Sequence, residues 1–194
     1  MIFVTNDATN YITNSFAWIL ASVYRFTLRA QKFWSSILVA ALLEKIASLL
    51  KRLGRHRVIF DRDDNEPYLE RYYLFLKDRK SFAFNVVLHR ILKSDLDDLH
   101  DHPWPWVTII LQGGYWEYTR VGKPKWKGAG GVTIRSSRSL HRLELRKDQF
   151  GKEIPCWTLF CMGPRQKDWG FLKNGKWVKN TTYLQERKRV ATQT

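Results

Sequence analysis

Residues 97–104 read Asp-Asp-Leu-His-Asp-His-Pro-Trp, and further on 139–145 read Ser-Leu-His-Arg-Leu-Glu-Leu. His100 and His102 are two apart, and in an extended chain such side chains leave the same face, so two imidazoles can reach one ion. In the second stretch His141, Leu143 and Leu145 share one face and Arg142 and Glu144 the other, so His141 is expected to point inward among apolar neighbours. An interior imidazole needs a partner. Alone, His141 would be read as a core histidine satisfied by a hydrogen bond. Together, His100, His102 and His141 read as the ligands of a divalent metal, with pairing of the two segments bringing the third ring to the first two. Asp101, between the first two, is expected to face away from the metal.

Around these histidines the chain reads as short β-like runs, at 68–76, 82–92, 106–119, 131–135, 139–145, 155–162 and near 176–178. Gly113-Gly114, Gly122 to Pro124, Gly128 to Gly131, Gly151 and Gly163-Pro164 punctuate them with turn chemistry, which predicts a compact antiparallel barrel or sandwich. A polar break at 61–67 precedes the runs. Before it the pattern changes: Phe16, Ile19, Leu20, Val23 and Tyr24, then Phe33, Ile37, Leu38, Ala41, Leu42, Ile46, Leu49 and Leu50 recur three or four apart, as in helices. The chain is therefore divided into a basic amphipathic helical extension (1–57), a β-barrel (58–180) and a basic C-terminal tail (181–194).

Arg25 and Arg29 interrupt the first helical stretch, and Glu44 and Lys45 the second, so neither offers the roughly 20 apolar residues of a membrane span. The start MIFVTNDATN has no basic region ahead of an apolar run, so no signal peptide is expected and the cytoplasm is the expected location. Lys and Arg number 33 against 18 Asp and Glu, a formal charge of +15, which draws phosphate-bearing partners without choosing among them. No helix-turn-helix, zinc-finger or Gly-rich phosphate-loop pattern is present, so nucleic acid would be bound nonspecifically through the basic arm. Trp34 with Lys32 and the cluster from Lys51 to Arg57 would equally suit an anionic membrane, peripheral to its inner surface. The remaining option is that the apolar stripe packs on the barrel or on a second copy, giving a homodimer. Cys156 and Cys161 lie five apart in an apolar run and would point to opposite strand faces, which predicts two thiols and no mutual disulfide.

The stretches HDHPWPWVTIILQGGYWE (101 is its first Asp) and GGVTIRSSRSLHRLEL resemble the two motifs of the cupin superfamily, in which HxH opens the first and a single His closes the second. RDDNEPYLERYYL, FNVVLHRILKSDLDDLHDHPW and CWTLFCMGPRQKDWGF are further similar to uncharacterised bacterial and phage cupin-like proteins. The resemblance implies a mainly β, jelly-roll antiparallel barrel, here with an α-helical extension at its N-terminus. One departure matters: the usual Glu four or five residues after the second His is replaced by Trp106 or Val107. Glu117 is the acidic residue left to serve as an additional ligand or as an acid/base.

A three-histidine set resembles that of the thiol dioxygenases, cupins that hold ferrous iron and add both atoms of dioxygen to a substrate thiol. Fe(II) is accordingly the favoured metal, with Zn, Ni or Mn as alternatives that imidazole also accepts. A metal-dependent oxidoreductase acting on a small anionic substrate is the leading reading. Zinc-assisted hydrolysis or isomerisation, a non-catalytic metal- or ligand-binding cupin, and an interaction protein working through its basic arm stay open beside it. Trp104, Tyr115, Trp157 and Arg165 are the candidate substrate pocket, with Trp106, Lys167 and Trp169 nearby in sequence; Arg165 would clamp a carboxylate or phosphate. His89 reads as a packing residue or a group close to the site, and His56 as solvated charge in the basic linker.

Overall fold

The computed structural model describes residues 36–61, 65–77, 82–95 and 98–191, the side chains of 187–191 excepted. Expectations for the arm before residue 36 lie outside them. The chain forms two compact units, 1–43 and 44–194. Of the first, the described residues 36–43 are helical, and the helix (α1) runs on to 52. No described helix is long and apolar enough to cross a membrane.

Among its described residues the second unit consists mainly of eleven antiparallel strands: β1 (His56–Phe60), β2 (Pro67–Tyr73), β3 (Asn85–Ile91), β4 (Trp106–Gln112), β5 (Gly114–Thr119), β6 (Lys125–Gly128), β7 (Val132–Arg135), β8 (His141–Leu145), β9 (Cys156–Met162), β10 (Gly170–Lys173) and β11 (Lys176–Lys179). A helix, α2 (Asn180–Ala191), follows. One sheet has the order β1-β2-β3-β9-β4-β7; the other consists of β6-β5-β8 and β10-β11. His100 joins the two pieces of that second sheet, bridging to His141 on one side and to Phe171 on the other. The expected run at 106–119 breaks at Gly113, whose φ of 76° favours glycine. A Cβ there would meet the Pro155 carbonyl oxygen at 2.7 Å, so the chain turns at this corner from one sheet into the other.

Inward faces follow the strand period of two. Val87, Trp106, Phe160 and Met162 form one buried cluster; Leu69, Ile91, Ile110, Tyr115, Leu145 and Cys156 form another. The outward face of the large sheet is covered too: Arg90 lies over the Trp157 ring and pairs with Glu44 of α1 at 3.5 Å.

Three expectations are corrected. The first strand begins at His56, inside the stretch assigned to the helical arm, and the polar break falls between β1 and β2, its last residue Pro67 already in β2. His56 is half-buried, its ring 4.6 Å from Tyr72 and its Nε2 3.5 Å from Glu70, because β1 pairs with β2 in a register that places His56 opposite Tyr72. The C-terminal tail is helical from Asn180, anchored where the Tyr183 ring stacks on Phe171 at 4.1 Å and its hydroxyl donates to Asp98. The two cysteines are free, and the strand carries them to opposite faces as expected.

Candidate metal centre

His100 and His141 sit on neighbouring strands whose backbones exchange two hydrogen bonds, each N–H donating to the other's carbonyl at 2.9 Å. His102 follows where the chain leaves this bridge. One nitrogen from each of the three rings lies within 4.8 Å of the other two. His102 Nε2 and His141 Nε2 are 3.0 Å apart, the separation expected of two ligands each about 2.1 Å from one ion. The donor set therefore fits a divalent metal.

The opposite edges of these rings are served by carboxylates. Glu117, on β5, places Oε1 3.4 Å from His141 Nδ1, within ion-pair reach, while that buried nitrogen makes no hydrogen bond. Its other oxygen accepts from Arg135 Nη2 at 2.7 Å, with Lys127 at 3.8 Å. Burial by itself would raise the Glu117 carboxyl, but His141 and Arg135 outweigh it and hold it at about 2. Glu117 thus stands behind His141, outside the three-nitrogen cluster. Asp95 Oδ2 lies 4.0 Å from His100 Nδ1, and Asp95 is itself fixed by the Leu143 N–H at 2.7 Å and by the Tyr68 hydroxyl. Such partners set the tautomer and direction of ligating imidazoles. His102 instead packs on the Trp106 ring at 4.4 Å, and burial, with His141 and His100 beside it, pushes its pKa well below the usual histidine value. It is neutral at pH 7, the form a metal requires.

Asp101 does face away, as expected. It is fully buried and accepts from the Gly170 N–H and Trp177 Nε1, both at 2.9 Å, and from Lys167. Lys167 therefore anchors the 163–169 loop, and the loop is pinned over the barrel mouth by the Gln166 N–H donating to the Pro103 carbonyl at 2.7 Å.

The three histidines line a cavity of about 410 Å³. Trp104, Tyr115, Arg165 and Trp169 line it as well. Trp157 does not: it projects from the outer face of β9 and stacks on Tyr72, while Thr158 and Phe160 face the cavity. That strand is buried on both faces, so its sequence carries no alternation to mark the inner one. His89, Arg71 and Asp95 also face the cavity, and the first two were not legible as a pair because only the β2–β3 register places Arg71 opposite His89.

Two antiparallel sheets close over a cavity, and an HxH segment and a third histidine meet across one bridge. The fold is of the cupin type. No protein-family model and no curated protein matches the sequence. Among solved structures the barrel is similar to a cupin-2 domain from Rhodospirillum rubrum, with a TM-score of 0.48, 9% identity, and coverage of 68% of this chain and 80% of that one. It is also similar to an RmlC-like cupin from Ralstonia eutropha (TM-score 0.41, 10% identity, 70% and 82% covered). A third is a predicted oxalate decarboxylase from Thermotoga maritima (TM-score 0.43, 17% identity, 56% and 91% covered).

Proposed function

We propose that this cupin is a metal-dependent oxidoreductase of the dioxygenase kind, with Fe(II) held by His100, His102 and His141 and a small anionic thiol as substrate. The observation that carries the reading is an all-histidine donor cluster facing a largely apolar cavity, with its carboxylates behind the rings. Iron bound there would supply positions at which thiol and dioxygen meet, for the net change R–SH + O2 → R–SO2H, in which both oxygens end on sulfur. The chain's own residues orient and shield. Glu117 and Asp95 stand 3.4 and 4.0 Å from the far nitrogens of His141 and His100, and Phe160 and Phe171 give the cavity apolar wall. Burial, with Cys156, Glu117 and Asp95 nearby, pushes the Tyr115 phenol up, so it remains protonated and offers the cavity a hydrogen-bond donor. The test is oxygen uptake by protein loaded anaerobically with Fe(II), across a panel of small thiols, with mass spectrometry for a product gaining two oxygen atoms. Uptake that requires all three histidines supports the proposal; stoichiometric metal without uptake leaves a binding module.

A second reading concerns partners. Phe75, Phe82 and Phe84 are exposed yet touch one another, Phe75 stacked on Phe84 at 5.1 Å and Phe82 edge-on to both at 5.4 and 5.5 Å, and Arg55, just after α1, ties to this tip by donating to the Phe75 carbonyl. Exposed Leu49 and Leu53 lie beside Lys51 and Arg52 on the same helix end. Exposed apolar side chains with a cation beside them suit an anionic membrane surface. Sedimentation with phosphatidylglycerol vesicles, weakened at least tenfold by Phe82→Ser with Phe84→Ser, is expected; equal binding by the double variant would oppose it.

A further inference from the structure

The small sheet has an outer face that the metal centre does not use. On β5, Tyr115 and Glu117 are buried, so the alternate residues Trp116 and Tyr118 stand outward. The register sets Trp126 of β6 opposite Trp116, and Gly128 opposite Gly114. Trp116 and Trp126 remain 42% and 41% exposed, their rings 5.6 Å apart and inclined at 63°. Trp126 lies across the two glycines: a Cβ at Gly114 would meet its Cζ2 at 2.5 Å, and one at Gly128 its Nε1 at 2.9 Å. Glycine weakens a strand, and here a facing pair of them seats one indole against the sheet while leaving it open to solvent. Tyr118 continues the row along β5, with the Arg142 guanidinium 4.2 Å from its ring centroid.

The charge around this row has one sign. Between Glu117 and Glu144 the chain carries seven Lys and Arg and no Asp or Glu. Arg120, Lys123 and Lys125, in and beside the β5–β6 connection, are exposed. The two flanking carboxylates are already matched: Glu117 is buried against Arg135 and Lys127, and Glu144, across from Trp116, pairs with Arg142 at 3.4 Å. We propose that this face docks a single-stranded polynucleotide, with Trp126 and Trp116 as surfaces on which bases stack and Arg120, Lys123 and Lys125 as contacts for phosphate. An unpaired strand needs both a flat apolar surface and a positive rim. A neutral glycan would use the rings and leave the cations idle, a duplex keeps its bases stacked on one another, and an anionic bilayer is met by rings that project, whereas Trp126 is laid back on the sheet. The docking face is separate from the basic N-terminal arm and does not rest on the dioxygenase reading.

The experiment measures fluorescence anisotropy of labelled oligo(U), oligo(dT), an abasic strand of the same length and a duplex, with sedimentation of phosphatidylglycerol vesicles alongside. Full-length wild type is compared with Trp126→Ala, Trp126→Phe, Trp116→Ala and the pair Lys123→Gln with Lys125→Gln, folding being checked by circular dichroism. All carry the same N-terminal arm, so a difference between them reports this face. Trp126→Ala should lose about tenfold or more on oligo(U) and oligo(dT) and nothing on the abasic strand or the duplex. Trp116→Ala should show a loss of the same kind, and Trp126→Phe should keep most of the affinity. The double lysine variant should flatten the slope of log affinity against log salt by about 1.4, two phosphate contacts at about 0.7 each. Metal content should equal wild type in every variant. No oligonucleotide bound by wild type, unchanged binding by both Trp→Ala variants, an equal loss on the abasic strand, or a loss confined to vesicle binding would each overturn the assignment.

Discussion

Glu117→Gln is the substitution with the sharpest expected signature. The carboxylate is 3% exposed, faces His141 Nδ1 and balances Arg135 and Lys127. Its folded pKa of about 2 lies below the ordinary 4.5. A depressed carboxyl adds stability that is fully present above pH 4.5 and is lost as pH falls through about 2. At about 1.4 kcal/mol per pH unit, the difference amounts to about 3 kcal/mol at pH 7 and about 1 kcal/mol at pH 3. Urea unfolding of wild type and Glu117→Gln, both kept metal-free with chelator, should show a gap of that size that closes on acidification. Metal titration of the variant at pH 7 should show affinity lower by about 10- to 100-fold, since a glutamine no longer holds the imidazole as a carboxylate does. A gap below about 1 kcal/mol at pH 7, or one that is constant from pH 7 to pH 3, would refute the reasoning.

Other substitutions separate fold from site. Leu145→Ala, in the buried cluster away from the metal-facing nitrogens, should cost about 2–5 kcal/mol in denaturant unfolding while leaving metal stoichiometry intact. Gly113→Ala adds a Cβ 2.7 Å from the Pro155 carbonyl at a φ of 76° and should lower stability by about 1–3 kcal/mol, read as a fall in melting temperature. Bound metal should be released on acidification, because protonation of imidazole competes with the ion, and the depressed His102 should keep its ligand form to a lower pH than a free imidazole; dialysis at stepped pH followed by metal analysis measures the midpoint.

The strands that carry the histidines were legible because a period of two is unambiguous where one face is buried and the other wet, as in 139–145, where His141 and Leu145 are buried while Arg142 and Glu144 reach the surface. β6 escaped notice because Lys125-Trp126-Lys127-Gly128 reads as a charged turn, and β10 because it is short and its Gly170 is held by Asp101, a partner remote in sequence. Trp157 was misplaced for the opposite reason, being apolar among residues apolar on both sides. The Arg71–His89 pair depends on strand register, which no single segment encodes. The role of Glu117 likewise became readable only once β5 and β8 were aligned, with Glu117 two positions from the partner of His141.

The measurement that bears most directly on the account is elemental analysis of purified wild type beside His102→Ala and His141→Ala, with folding of each variant verified by circular dichroism. The account predicts near-stoichiometric divalent metal in wild type, iron on anaerobic preparation, and its loss in both folded variants. Wild-type protein that binds no metal even after reconstitution, or variants that retain it in full, would contradict the central claim.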